Sequence, residues 1–113
     1  MSRRSLRVIG PGRAGGSLAG ALGAAGWRIE RPVRRGEDVV GAAAGVDLLV
    51  IAAPDGAIAS VAAVVAPGDA VVAHLAGSLG LGALEPHERR AAVHPLVSLP
   101  NAEVGAERLR DGA

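Results

Sequence analysis

The residues Gly10-Pro11-Gly12-Arg13-Ala14-Gly15 are the part of this sequence whose types and spacing specify chemistry most directly. They read G-x-G-x-x-G. In that pattern the first glycine permits a tight turn out of a strand. The second lets main chain approach a pyrophosphate, and the third lets a helix lie close against a sheet. The unpaired N–H groups and positive dipole end of the helix that follows then hold the phosphates. All six residues, Pro11, Arg13 and Ala14 included, form the candidate cofactor-binding loop. The chain has 17 glycines, so the motif alone also fits a turn that only packs. Its weight comes from its place between an apolar run and a helical run.

The next candidates lie where a second strand would end. Glu30 stands twenty residues after Gly10, the distance at which an acid binds the ribose 2′-OH of NAD. Arg31, Arg34 and Arg35 follow at once, and a cluster of guanidinium groups suits a 2′-phosphate. Arg31 and Arg34 therefore tip the expected cofactor toward NADP(H), with NAD as the alternative. Each arginine is equally well read as a solvated loop residue.

Three further segments should end beyond the carboxyl edge of a sheet, where such folds bind ligands. Ala53-Pro54-Asp55 is expected to run beside the cofactor. His74, Ser78 and His94 are the polar groups expected near its reactive end, and either histidine has the chemistry of a general acid or base. The competing readings are histidines that merely close their strands with satisfied hydrogen bonds, and a serine that belongs to a turn. His87, inside Glu85-Pro86-His87-Glu88-Arg89-Arg90, reads as a surface residue. The three histidines offer no close ligand pair, so no metal site is expected.

The elements that must position these groups follow from the patterning. Leu6–Ile9, Trp27–Glu30, Val46–Ala53, Asp69–His74 and Ala91–His94 read as strands. Between them lie helical stretches at Arg13–Ala25, closed by Gly26, at Glu37–Ala44, at Ala57–Val65 with Asp55 as its cap, and briefly within Leu81–Arg90. A last helix is expected from Glu103 to Arg110. The third strand is apolar on both faces, which requires helices above and below a parallel sheet. Alternation of this kind predicts an α/β fold: a Rossmann-like, doubly wound, mostly parallel sheet of about five or six strands flanked by helices.

Composition narrows the function classes. The chain of 113 residues has room for one domain, residues 1–113, and a chain of this size buries roughly two-thirds of its unfolded surface. Its core must be built from Ala, Val, Leu and Ile, because Trp27 is the one large ring. With no cysteine there is no disulfide, thiolate site or cysteine nucleophile. A net charge of +1 is no nucleic-acid footprint, and the apolar runs are too broken for a membrane span or a signal peptide. A cytoplasmic location is expected.

Taken together, R-V-I-G-P-G-R-A-G-G-S-L, D-L-L-V-I-A-A-P-D-G-A-I, V-V-A-H-L-A-G-S-L-G and A-A-V-H-P-L resemble a known family. It is the N-terminal Rossmann-like domain of the DUF2520-containing, NADP-oxidoreductase-like proteins of bacteria. These stand near the 6-phosphogluconate, pyrroline-5-carboxylate and prephenate dehydrogenases. The resemblance runs from about Arg7 to Gly112. It implies phosphate-loop roles for Gly10, Gly12 and Gly15 and a cofactor-flanking role for Pro54-Asp55, and it makes His74, Ser78 and His94 candidates only. It also implies a helical C-terminal domain, often dimer-forming, that this chain is expected to lack. The stretch from Arg31 to Val46 is short for a full crossover helix, which departs from the family pattern.

The leading expectation is thus a dinucleotide-binding domain of an oxidoreductase that passes a hydride to a small, unidentified substrate. Such a domain is expected to be inactive without a substrate domain, since hydride transfer needs an enclosed site. The alternative is a non-catalytic module that binds or senses a nucleotide or mediates association, for example as a homodimer.

Overall fold

The computed structural model describes residues 4–10, 12–76 and 79–93. Five strands, β1 (Ser5–Ile9), β2 (Arg28–Ile29), β3 (Leu48–Ile51), β4 (Val71–His74) and β5 (Arg90–Ala92), form one sheet in the order β2-β1-β3-β4-β5. Every pairing is parallel. The α/β architecture expected from the patterning is what the chain adopts.

Strand alternation splits the core into two layers. Leu6, Val8, Leu48, Val50 and Ala73 face α1 (Arg13–Ala24), where Leu22 and Trp27 complete the packing. Ile9, Leu49, Ile51 and Val72 face the other way, against Ile58 and Ala62 of α2 (Ile58–Val64) and against Leu84. Helices on opposite faces make the sheet doubly wound. Because β1 leads to β2 on one side and the chain then returns to β3 on the other, the winding reverses between β1 and β3. The carboxyl ends of those two strands flank the crevice that this topology creates.

Helix α1 carries many glycines, each a poor helix former. What holds it is its apolar stripe and its ending. Gly26, at φ +99, donates to Gly23 O at 3.1 Å while Trp27 N–H reaches Leu22 O at 3.0 Å. This is the paired closure typical of a glycine-terminated helix, with Trp27 and Leu22 both in the core layer beneath.

Several boundaries differ from the sequence reading, for local reasons. The stretch 37–44 is a run of turns rather than a helix, with i to i+3 bonds such as Ala42 N–H to Val39 O at 3.0 Å. Arg7 holds it to the sheet: its guanidinium donates to Ala42 O at 2.9 Å and Ala44 O at 3.2 Å. Asp55 opens a 3-10 turn, Asp55–Ala57, and does not stand at the N-cap of α2, which is Ala57. The helical stretch before β5 is a 3-10 turn, Leu81–Leu84. The expected helix Glu103–Arg110 lies outside the described residues.

Candidate functional site

The glycine turn sits at the carboxyl end of β1, and two of its three glycines are demanded by the fold itself. Gly10 has φ +75, a conformation that side chains resist, and a Cβ there would stand 3.0 Å from Ala52 O. Its N–H donates to Val33 O at 2.9 Å, tying the turn to the segment after β2. Gly15 is buried beneath the first turn of α1. A Cβ on it would meet Val8 Cγ1 at 2.8 Å, Ala52 Cβ at 3.0 Å and Gly10 O at 3.0 Å.

Gly12 is different. It is exposed, it is the N-cap of α1, and a Cβ built on it meets nothing within 4 Å. A side chain there would meet no neighbouring segment of the fold. The first helical bond runs from Gly16 N–H to Gly12 O at 2.9 Å, so the N–H groups of Arg13, Ala14 and Gly15 have no acceptor within the helix. No side chain caps this end and no acid lies in its first turn. Arg13 and Ala14 are exposed, and the positive end of the dipole faces out beside a guanidinium. The arrangement suits an anion.

The other wall of the crevice is the end of β3. Ala52 N–H bonds to Ile9 O at 2.8 Å, placing Ala52 under both Gly10 and Gly15. Ala53 is half-buried, and Pro54 and Asp55 are exposed as the chain turns toward α2. The structure thus brings Gly10 and Gly15 against Ala52, at the head of the segment Ala53-Pro54-Asp55, while Gly12, Arg13 and Ala14 stand exposed at the start of α1. Pro11 lies outside the described residues.

On the far side of β1, the chain runs on beside it after β2, with Glu30 N–H bonded to Leu6 O at 2.9 Å. Between the pairs Leu6–Ile29 and Ile9–Val33 the edge strand carries one more residue than β1. That bulge falls at Pro32, which has no N–H to give. Glu30 is paired with Arg28 at 2.9 Å. Arg31 pairs with Glu37 at 2.8 Å, and Glu37 also accepts the Arg34 N–H at 2.7 Å. The Arg31 hydrogen bond, then that of the Arg34 main chain, holds the Glu37 carboxyl below its usual range. The same hydrogen bond raises Arg31 further. Arg34 and Arg35 are exposed.

His74 ends β4 beside Ile51, at the carboxyl edge, but its side chain is 0% exposed. Its Nδ1 accepts the Ala76 N–H at 3.1 Å, which leaves Nε2 to donate to Gly80 O at 3.1 Å. The ring is the neutral Nε2–H tautomer with both nitrogens engaged by main chain. It ties Ala76 and Gly80 to the end of β4. Ser78 and His94 lie outside the described residues.

His87 is not the surface residue that its charged neighbours imply. It is buried, and its Nε2 lies 2.8 Å from Ala62 O in the last turn of α2, one of the carbonyls a helix end leaves without a partner. The one signal in the sequence was the spacing of His87 from Leu84, three residues before it and also buried. Arg7, which clamps the β2–β3 crossover, was equally missed.

No protein-family model matches the chain, and no curated protein matches it.

Proposed function

We propose that the chain is a dinucleotide-binding domain, with NADP(H) preferred over NAD(H), that serves an oxidoreductase. The carrying observation is Gly12: an exposed glycine with open space at its Cβ, at the N-terminus of α1 that no side chain caps, on the crevice where the sheet reverses its winding. Main-chain N–H groups of Arg13, Ala14 and Gly15 would hold the pyrophosphate, and Arg13 would add charge. The residues after β2, Glu30 to Arg35, would meet the adenosine ribose, and Ala53-Pro54-Asp55 would border the nicotinamide half. The cofactor supplies hydride chemistry when bound; the chain supplies anchorage and orientation.

The resemblance to the DUF2520-containing proteins belongs to this proposal, as do a cytoplasmic location and a small substrate held together with a further domain. No helix among the described residues is long and apolar enough to cross a membrane.

One observation favours a second reading, a module that binds nucleotide without catalysis. His74 spends both nitrogens on main chain, so it ties Ala76 and Gly80 to β4 and does not face the crevice. In the catalytic reading the general acid or base is then His94.

The test is amide NMR mapping with NADPH. Shifts concentrated at Gly12 to Gly16 and Ala53 to Asp55 support the reading. Saturating NADPH that moves only resonances elsewhere overturns it.

A further inference from the structure

We infer that Glu37 is an internal occupant of the anion site at the end of β2, and thereby sets how strongly the chain selects a 2′-phosphorylated adenine nucleotide. The inference rests on the dinucleotide reading above and adds a residue that controls its specificity.

The geometry comes first. One oxygen of Glu37 takes the Arg31 guanidinium at 2.8 Å and the other takes the Arg34 N–H at 2.7 Å. A charged fork and a main-chain donor converging on one small anion is also how a protein holds a phosphate. The turn that folds Glu37 back is built for this. Glu37 N–H bonds to Arg34 O at 3.0 Å, with Gly36 at φ +86 between them.

Location comes second. Val33, between the two donors, bonds to β1 in both directions, through Val33 N–H to Val8 O at 2.9 Å and Gly10 N–H to Val33 O at 2.9 Å. The converging donors therefore flank the residue that touches the glycine turn. Arg7 Nε donates to Arg31 O at 3.3 Å, so the main chain stays anchored if the Arg31 side chain changes partner.

Exchange is easy. The Arg31 side chain is 71% exposed, and ion pairs in that setting are weak. A dianionic 2′-phosphate would displace the monoanionic carboxylate but would still feel its repulsion nearby. An unphosphorylated ribose has no claim on Arg31 and leaves the pair in place.

The test is calorimetric titration of the whole chain and its Glu37→Gln, Glu37→Ala and Arg31→Gln variants with NADP+, NAD+, adenosine 2′,5′-bisphosphate and 5′-AMP. Gln keeps an acceptor for the Arg34 N–H, and thermal melts confirm that each variant is folded. Glu37→Gln should tighten both 2′-phosphorylated ligands about thirtyfold, the size that Coulomb's law gives in water for removing one like charge about 4 Å from a dianion. NAD+ and 5′-AMP should change less than about twofold, and Arg31→Gln should weaken only the 2′-phosphorylated pair. If wild type binds these nucleotides and neither Glu37 variant alters the ratio of NADP+ to NAD+ affinity, the role of Glu37 falls while the dinucleotide reading stands. If no folded form binds any adenine nucleotide, the dinucleotide reading falls and takes this inference with it.

Discussion

Gly15 lies so close over Val8 that a methyl group on its Cα would stand 2.8 Å from Val8 Cγ1, with Gly10 O at 3.0 Å on another side. The third glycine of the turn is thus a packing device that seats α1 on β1. Five residues along the same helix, Gly20 is exposed and a Cβ there meets nothing within 4 Å. The two sites predict opposite signs. Gly15→Ala should destabilise by about 1–3 kcal/mol through overpacking, whereas Gly20→Ala should stabilise by about 0.5–1 kcal/mol through helix propensity. Urea unfolding of both variants checks this, and a neutral Gly15→Ala would contradict the close packing.

His74 should be a single neutral tautomer. With Ala76 N–H on Nδ1 and Gly80 O on Nε2, nitrogen-15 NMR of the ring should show Nδ1 bare and Nε2 protonated. Replacing His74 by Ala orphans the buried Ala76 N–H at about 1–3 kcal/mol, while Gly80, which is exposed, can turn its carbonyl to water, so the Ala76 amide should exchange faster. An Nδ1–H tautomer would deny the bond from Ala76.

His87→Ala should cost stability although the residue sits in a charged stretch. It removes the partner of Ala62 O at the end of α2, a buried carbonyl whose loss of a bond costs about 1–3 kcal/mol. Denaturant midpoints decide it: a change within experimental error would place His87 outside the core.

Glu37 should titrate below an ordinary exposed glutamate, because its folded pKa is depressed by Arg31 and then by the Arg34 N–H. For a group shifted in that direction, the stabilising effect of pairing is present above the unfolded pKa. It is lost as pH falls through the folded one. Carbon-13 titration of the carboxyl should show the shift, and Arg31→Gln should move the titration upward. An unchanged titration in Arg31→Gln would deny the pair in solution.

Much of the fold was legible because period-2 patterning and glycine punctuation are local. The doubly apolar run around Val50 announced a covered parallel strand, and Gly26 marked the end of α1. The crossover at 37–44 was misread because its small apolar residues mimic a helical stripe, while what fixes it is a distant side chain, Arg7. The candidate site divides in the same way. The glycine turn could be read from spacing, although the contacts that demand glycine at Gly10 and Gly15 come in part from the distant Ala52. That His74 turns both nitrogens to main chain, and that Glu37 pairs with Arg31, depend on where the loops return. His87 shows the converse, a buried role hidden by charged neighbours.

The most direct measurement is the affinity of the wild-type chain and of Gly12→Val for NADPH and NADH, by calorimetry, with a melting curve for each protein. Gly12 is exposed with open space at its Cβ, so the branched side chain would clash with no neighbouring segment and would stand where the pyrophosphate must lie; the melting curve checks that the fold is kept. The account predicts binding by wild type, tighter for NADPH, and loss of both nucleotides in a Gly12→Val protein that melts like wild type. Equal affinity in the two folded proteins would contradict it, and the glycine turn would then be packing alone.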